Sequence, residues 1–197
     1  MEEEQNITIW SPSSLVRDYF RCLCRTYDNI HEIEDDKLKK QEILLTIVMA
    51  VAVTETFINL YLDIVADERK ISKKTLEDPR GRGQTTLEFK INKWPKIIFG
   101  EKLNFSTSPF KDFKVLKQLR NDLLHFKPKR VTHGISNFYI TSFDFSTYYY
   151  LEISQARNAI LTVIEVIKEL LRLNGIEEEK IKGQLAIWTG YFEEFEL

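Results

Sequence analysis

Glycine and proline are scarce in this chain of 197 residues, at 7 and 5 residues. Because sandwiches and barrels need many turns, and turns favour these two residues, their scarcity argues against such folds and favours helices. The two cysteines, Cys22 and Cys24, lie two positions apart. Cysteines this close rarely form a disulfide, and two thiols alone do not make a zinc site. We therefore expect two reduced thiols of a cytosolic protein.

The chain also lacks a long apolar run of the kind that spans a bilayer. The longest run covers residues 43–53 and stops before Glu55, whereas a span needs roughly 20 apolar residues. Residues 1–4 are acidic overall, where a secretory signal peptide carries positive charge. These observations predict a cytoplasmic protein with no membrane contact, in which residues 43–53 lie in a buried core helix.

Apolar residues make up 43% of the chain and aromatic residues 12%, enough for a sizeable core. The length suits one domain, 1–197, with a core of about 13–174 and a short C-terminal helix of about 176–197. We predict an all-α, up-down helical bundle with a small irregular or hairpin insertion. Residues 73–84 and 100–108 are predicted as loops, and residues 132–150 as a long loop or small hairpin. A serine-rich cap precedes the first predicted helix, and Pro95 starts, kinks or splits the third. The fourth lies between two prolines. The predicted helices cover about 14–29, about 36–67, 85–99, 109–127, 151–174, and a short stretch from Glu177.

The charge is unevenly distributed although the net charge is only −2. Residues 69–130 contain 17 Lys plus Arg and 6 Asp plus Glu, an excess of +11, so the rest of the chain carries −13. Such asymmetry is typical of proteins that bind a polyanion. A solvated charged face explains it equally well.

The segment 119–126 places an Arg, an Asn and a His on one predicted helix. At about 100° per residue, its apolar positions fall on one face and its polar positions form a stripe roughly opposite, with Arg120 between the two. His125 near the helix C-terminus has an ordinary interpretation, as a favourable charge on the macrodipole. The dipole also favours the imidazolium, which suits a general acid. The apolar face comprises Leu116, Leu119, Leu123 and Phe126, and the stripe comprises Lys114, Gln118, Asn121 and His125.

The order Arg120-Asn121-x-x-x-His125, followed by Phe126-Lys127-Pro128, resembles the signature of the HEPN superfamily. Residues 52–59 resemble that family's early long helix, with Glu55 and Asn59 four apart, and residues 90–95 resemble its Lys-Trp stretch. The resemblance covers about residues 40–130, and the helix at 151–174 follows in the expected place. The first helix and the C-terminal tail have no counterpart in the pattern.

The resemblance implies a helical bundle that dimerises and pairs two Arg-to-His motifs across a symmetric cleft. Many HEPN proteins are metal-independent endoribonucleases of toxin–antitoxin and defence systems, and others are inactive binding or dimerisation modules. The resemblance therefore predicts a homodimer with its motifs at the interface, an RNA substrate, an antitoxin or defence partner, and neither a metal nor a cofactor. An inactive HEPN-like module is the second interpretation, and a helical bundle that matches by chance is the third.

For a ribonuclease, the predicted catalytic residues are Arg120, Asn121 and His125. A ribose 2′-hydroxyl would attack the adjacent phosphate and leave a 2′,3′-cyclic phosphate, with His125 transferring the proton and Arg120 clamping the phosphate. Asn121 would orient His125 or bond the phosphate. The candidate cations for the RNA backbone are Lys114, Lys117, Arg80, Arg82, Lys127, Lys129 and Arg130.

Glu55 and Asn59 lie on one face of the most apolar predicted helix. A charged Glu there is costly unless it is paired. One interpretation is a salt bridge or hydrogen bond that ties helices together, with Arg120 a candidate partner. The other is a carboxylate that positions Arg120 or His125. The aromatic residues of 138–150 are expected to complete the core or a dimer interface, with base stacking as the alternative.

Overall fold

Helices dominate the described part of the chain, which comprises residues 11–77, 86–125, 130–135, 138–143 and 146–191 of this computed structural model. The predicted all-α bundle is confirmed, and the antiparallel pair β1–β2 forms the small hairpin. In chain order the elements are α1 (Pro12–Glu32), α2 (Asp36–Glu68), α3 (Lys73–Leu76), α4 (Leu87–Ile98), α5 (Phe110–Leu124), β1 (Arg130–Ile135), β2 (Phe138–Phe143), α6 (Ser146–Tyr149), α7 (Ile153–Leu173) and α8 (Glu178–Thr189).

Helix ends follow the expected local chemistry. The side chain of Asp35 accepts a hydrogen bond from the N–H of Leu38 at 2.8 Å, which caps α2, and Thr86 caps α4 in the same way. At the other end of the bundle, α7 stops at Asn174, and Gly175 takes up a left-handed conformation with φ of 82°. The predicted end of this helix at residue 174 is confirmed.

The central helix α2 packs against α1, α4, α5 and α7. Thirteen of its residues are buried, so residues 43–53 belong to a core helix as predicted. Contrary to the expectation from residues 43–53 alone, the whole of α2 is by length and composition long and apolar enough to cross a membrane, and half of its most apolar window is buried inside the protein. A core helix of a bundle has the same properties. The outer helix α8 packs on α1 and α7, and α5 packs on α2 and α7.

The apolar residues of α1 are divided between a buried face and exposed positions. Leu15 and Tyr19 are exposed, whereas Leu23 and Tyr27 are buried. The buried face of α1 is centred on neighbouring positions, because several apolar residues flank it and periodicity alone does not choose among them. Its buried residues are Val16, Phe20, Leu23, Cys24, Tyr27 and Ile30.

The segment predicted as a loop at residues 73–84 begins with a helical turn, α3. The indole N–H of Trp94 donates to the carbonyl oxygen of Leu76 at 3.0 Å, which ties this turn to α4. Residues 78–85 lie outside the described part of the chain. Pro95 lies inside α4, and the helix continues for one further turn to Ile98. A proline is tolerated there because only one backbone bond is lost close to the helix end.

Arg69 joins the ends of three helices. Its guanidinium donates to the side-chain oxygen of Asn174 at 2.7 Å and to the carbonyl oxygen of Ile98. It also stacks over the ring of Phe99, 5.6 Å from the centroid. Because Arg69 follows α2, Ile98 ends α4 and Asn174 follows α7, one side chain fixes these three helices relative to each other.

The two thiols are predicted to differ sharply in reactivity. Cys22 is exposed, whereas Cys24 is buried and its pKa is raised to about 12 by that burial. Since the thiolate is the reactive form, a disulfide reagent at pH 8 should modify one thiol of the native protein rapidly. Cys22→Ser should abolish the rapid reaction and Cys24→Ser should leave it intact. Two rapidly reacting thiols in the native protein would contradict this burial.

Candidate functional site

The candidate site is built on α5, and the predicted helical phase of α5 is correct. Phe113 and Leu116 are buried, and Leu119 and Leu123 are partly buried against the core. Phe126, the last residue of the predicted apolar face, lies outside the described part of the chain. This face packs between α2 and α7, so the opposite face of α5 points out of the bundle.

The predicted polar stripe lies on that outward face. Lys114, Gln118 and His125 are exposed and Asn121 is partly exposed. The amide of Gln118 donates to the carboxylate of Asp122 at 2.7 Å, one turn further along. The side chains of Asn121 and His125 therefore face solvent and not the core of their own chain.

The helix that carries the motif ends earlier than predicted. α5 stops at Leu124, and His125 is its C-cap residue, with φ of −105° and ψ of 45°. Its backbone N–H donates to the carbonyl oxygen of Asn121 at 2.8 Å. Within the described residues the imidazole makes no hydrogen bond, and the expected side-chain bond from Asn121 is not formed. The imidazole is therefore exposed at the helix C-terminus, where a ligand can reach it.

Arg120 points to the other side of α5, towards α2. One oxygen of the Glu55 carboxylate lies 3.5 Å from the Arg120 guanidinium and 2.9 Å from the Lys117 ammonium. The side chains are half-buried, with 24% of Glu55, 22% of Arg120 and 38% of Lys117 exposed. The Glu55–Arg120 pair thus joins α2 to α5 by a salt bridge, which is the first of the two interpretations of Glu55 given above.

The cluster of Glu55, Lys117 and Arg120 keeps a positive charge, because one carboxylate faces two cations. The Nε of Arg120 is buried and has no hydrogen-bond partner among the described residues. The guanidinium is therefore held in place by one carboxylate without being saturated. Because the cluster has a net positive charge, it can still attract an anionic ligand to its exposed side.

Asn59 does not join this cluster, although it lies one turn from Glu55 on α2. It lines a cavity of about 580 Å³ together with Asp63, Lys90 and Trp94. There the buried Lys90 ammonium bonds both oxygens of the Asp63 carboxylate, at 2.6 and 2.8 Å, and sits 4.5 Å from the Trp94 ring centroid. The polar residues of α2 thus face two different helices: Glu55 faces α5, and Asp63 faces α4.

The Lys90–Asp63 pair was not predicted from the sequence. The signal available was the spacing of four that separates Asp63 from Asn59 and Trp94 from Lys90, which puts each pair on one helix face. That spacing does not show that the two faces meet.

The predicted RNA-binding cations are only partly described. Lys114 is exposed, and Lys117 belongs to the Glu55 cluster. Arg80, Arg82, Lys127 and Lys129 lie outside the described residues, and of Arg130 only the backbone, at the start of β1, is described. In the predicted aromatic segment, Tyr149 and Tyr150 are exposed. Among the described residues, no three His, Cys, Asp or Glu side chains are grouped to hold a metal ion.

No protein-family model, curated protein or solved structure matches this chain. The likeness to the HEPN superfamily therefore stays a prediction that rests on the residues of the motif and of the two upstream segments.

The Glu55–Arg120 pair should contribute measurably to stability. We expect a double-mutant cycle of Glu55→Ala and Arg120→Ala in urea unfolding to give a coupling of about 1 kcal/mol, at the upper end for partly exposed pairs. The exposed Glu165–Lys168 pair of α7 is the matched control, because it is an i, i+3 pair at 2.8 Å. Its coupling should be about 0.3 kcal/mol. Equal couplings for the two pairs would contradict a special role of Glu55.

Proposed function

We propose that this chain is a metal-independent endoribonuclease whose active site combines Arg120, Asn121 and His125 with the same residues of a second copy. The observation that carries the proposal is the contrast between two groups on one helix. The Arg120 guanidinium is held against Glu55, whereas the His125 imidazole is exposed at the helix end with no partner among the described residues. A fixed cation and an exposed acid–base group, carried five positions apart by one helix, are the two kinds of group that phosphodiester cleavage needs.

In the proposed reaction the ribose 2′-oxygen attacks the adjacent phosphorus, and the bond to the 5′-oxygen of the next nucleotide breaks. A neutral His125 accepts the 2′-hydroxyl proton, and a protonated His125 of the second copy donates a proton to the leaving oxygen. The products are a 2′,3′-cyclic phosphate and a 5′-hydroxyl end. Arg120 stabilises the charge on the phosphate, with Asn121 as a further hydrogen-bond donor.

Glu55 has a positioning role in this proposal. It holds Arg120 and Lys117 at one carboxylate oxygen, so neither side chain has to be ordered when the phosphate arrives. The net positive charge of the cluster remains available to the phosphate. Asn59, which lines the α4 cavity, has no part in it.

The outward face of α5 is suited to contact a second copy. Val115 and Leu124 are 60% and 48% exposed, and by helical phase they flank the Asn121–His125 stripe on opposite sides. In a dimer, these two side chains would supply apolar contact area, and the stripe between them would supply hydrogen-bonding groups. A twofold axis through this face would bring the two motifs together.

A catalytically inactive binding or dimerisation module is the second candidate. One observation favours it: Arg120 already bonds Glu55, as a purely structural arginine would. In that case the exposed stripe would serve contact with a partner alone. RNA cleavage separates the two candidates.

We also propose that the ribonuclease acts in the cytoplasm as a toxin or defence effector. An enzyme that cuts RNA in its own compartment must be restrained until needed, which implies an antitoxin or regulatory partner protein.

Purified protein is expected to cut RNA in EDTA and to leave 2′,3′-cyclic phosphate ends. His125→Ala and Arg120→Ala should each slow cleavage at least a hundredfold, the usual effect of losing an acid–base or charge-stabilising group. His31→Ala is the matched control, because His31 is an exposed histidine at the end of another helix, α1. Intact RNA with the wild-type protein, or equal cutting by all variants, would overturn the assignment.

The wild-type protein should sediment as a dimer at micromolar concentration. Val115→Glu should weaken this dimer and cleavage together, since it buries a charge in the proposed interface. Ile187→Glu introduces the same charge at an apolar position on α8 that is 48% exposed, and it should change neither. A monomeric wild-type protein that cleaves RNA at full rate would contradict the shared site.

A further inference from the structure

A cavity of about 380 Å³ lies between α4 and the loop that follows it. Its lining combines the exposed ammonium groups of Lys93 and Lys102 with the ring of Phe105, and Asn92 adds an amide. The volume is in the range of small-molecule sites. Cations beside an aromatic face are what a nucleotide needs, since phosphate oxygens pair with the cations and the base stacks on the ring.

The cavity is joined to the motif by one face of α5. The Phe105 ring packs on the ring of Phe110, with centroids 5.8 Å apart. Phe110 is the first residue of α5, and Lys114, Lys117 and Asn121 follow it at spacings of four, seven and eleven. These spacings put all four residues on the same side of the helix. Phe110, Lys114, Lys117 and Asn121 thus form one row along α5. The cavity lies at the N-terminal end of this row, and Asn121 is at its other end.

The two acidic residues of α5 lie outside this row. Asp112 lines the groove towards α7, and Asp122 lies about 100° around the helix from Asn121 and accepts a hydrogen bond from Gln118. Glu55 of α2 faces the row and pairs with Lys117. Lys114, which has no acidic partner among the described residues, and the two cavity lysines remain available to an anionic chain.

We propose that the cavity is a nucleotide subsite for single-stranded RNA whose backbone runs along Lys114 and Lys117 to Arg120 and His125. The proposal rests on the proposed ribonuclease function and adds where the substrate lies. α5 has 15 residues and is about 22 Å long, a distance that a strand of roughly four to six nucleotides covers. One base stacks on Phe105 while its neighbouring phosphates contact Lys93 and Lys102.

The test uses the full chain and 2′-O-methyl oligonucleotides of three and ten nucleotides, whose blocked 2′-oxygen prevents cleavage. Fluorescence anisotropy gives the affinity. Lys93→Ser/Lys102→Ser should weaken binding of the ten-mer at least tenfold and of the three-mer less than twofold. The salt dependence of ten-mer binding should fall by about 1.4 in log–log slope, since each lost phosphate contact on a single strand removes roughly 0.7.

Two further variants separate the subsite from general charge and from packing. Lys168→Ser/Lys180→Ser removes the same charge from α7 and α8 and should change ten-mer binding less than twofold. Phe105→Leu keeps an apolar side chain against Phe110 but removes the ring face, and it should weaken the ten-mer about fivefold.

The outcomes distinguish this proposal from the proposed function. If wild type cuts RNA and binds the ten-mer but both lysine pairs give the same affinity, the subsite is wrong and the ribonuclease stands. If wild type neither cuts RNA nor binds either oligonucleotide, both proposals fall. Equal affinity for a ten-base-pair RNA duplex would also overturn the subsite, because paired bases cannot stack on Phe105.

Discussion

Two carboxylates in the apolar part of α2, Glu55 and Asp63, fix how the neighbouring helices α5 and α4 pack on it. Glu55 and Asp63 are two turns apart in a helix that is otherwise among the most apolar parts of the chain. A carboxylate that is partly removed from water must find a cation. Glu55 pairs with Lys117 and Arg120 of α5, and Asp63 pairs with Lys90 of α4. Both neighbouring helices are therefore held at a defined phase against α2.

The phase of α5 decides how its motif is presented. Once Arg120 is turned to Glu55, the 100° step of the helix places Asn121 on the solvent side, and His125 follows one turn later. The arginine and the histidine of one chain thus face different surroundings, one a carboxylate and the other solvent. On the proposed function this division is useful, because the cation is fixed before substrate binds while the acid–base group stays exposed to the substrate.

The sequence predicted what depends on strong periodicity and on turn chemistry. The helices, the Asn-Gly stop after α7 and the outward stripe of α5 all follow from those signals. Other features depend on which faces meet, which one sequence does not show. Leu15 and Tyr19 appeared as apolar as Val16 and Phe20, and Asn59 shares a helix face with Glu55 yet lies against α4. The end of α5 at Leu124 was also not predicted, because Pro128 indicated a later helix end.

The basic character of residues 69–130 illustrates the same limit, because a count of charges does not say which are available. Lys90 is buried against Asp63, and Arg69 is occupied by Asn174, Ile98 and Phe99. These cations hold helices together, and a polyanion would meet little of their charge. On the proposed function, the charge available to RNA is on Lys93, Lys102 and Lys114, which are exposed. In the proposed path of the strand these three lysines lead from the α4 cavity to the motif, so the available positive charge would follow the direction of the bound strand.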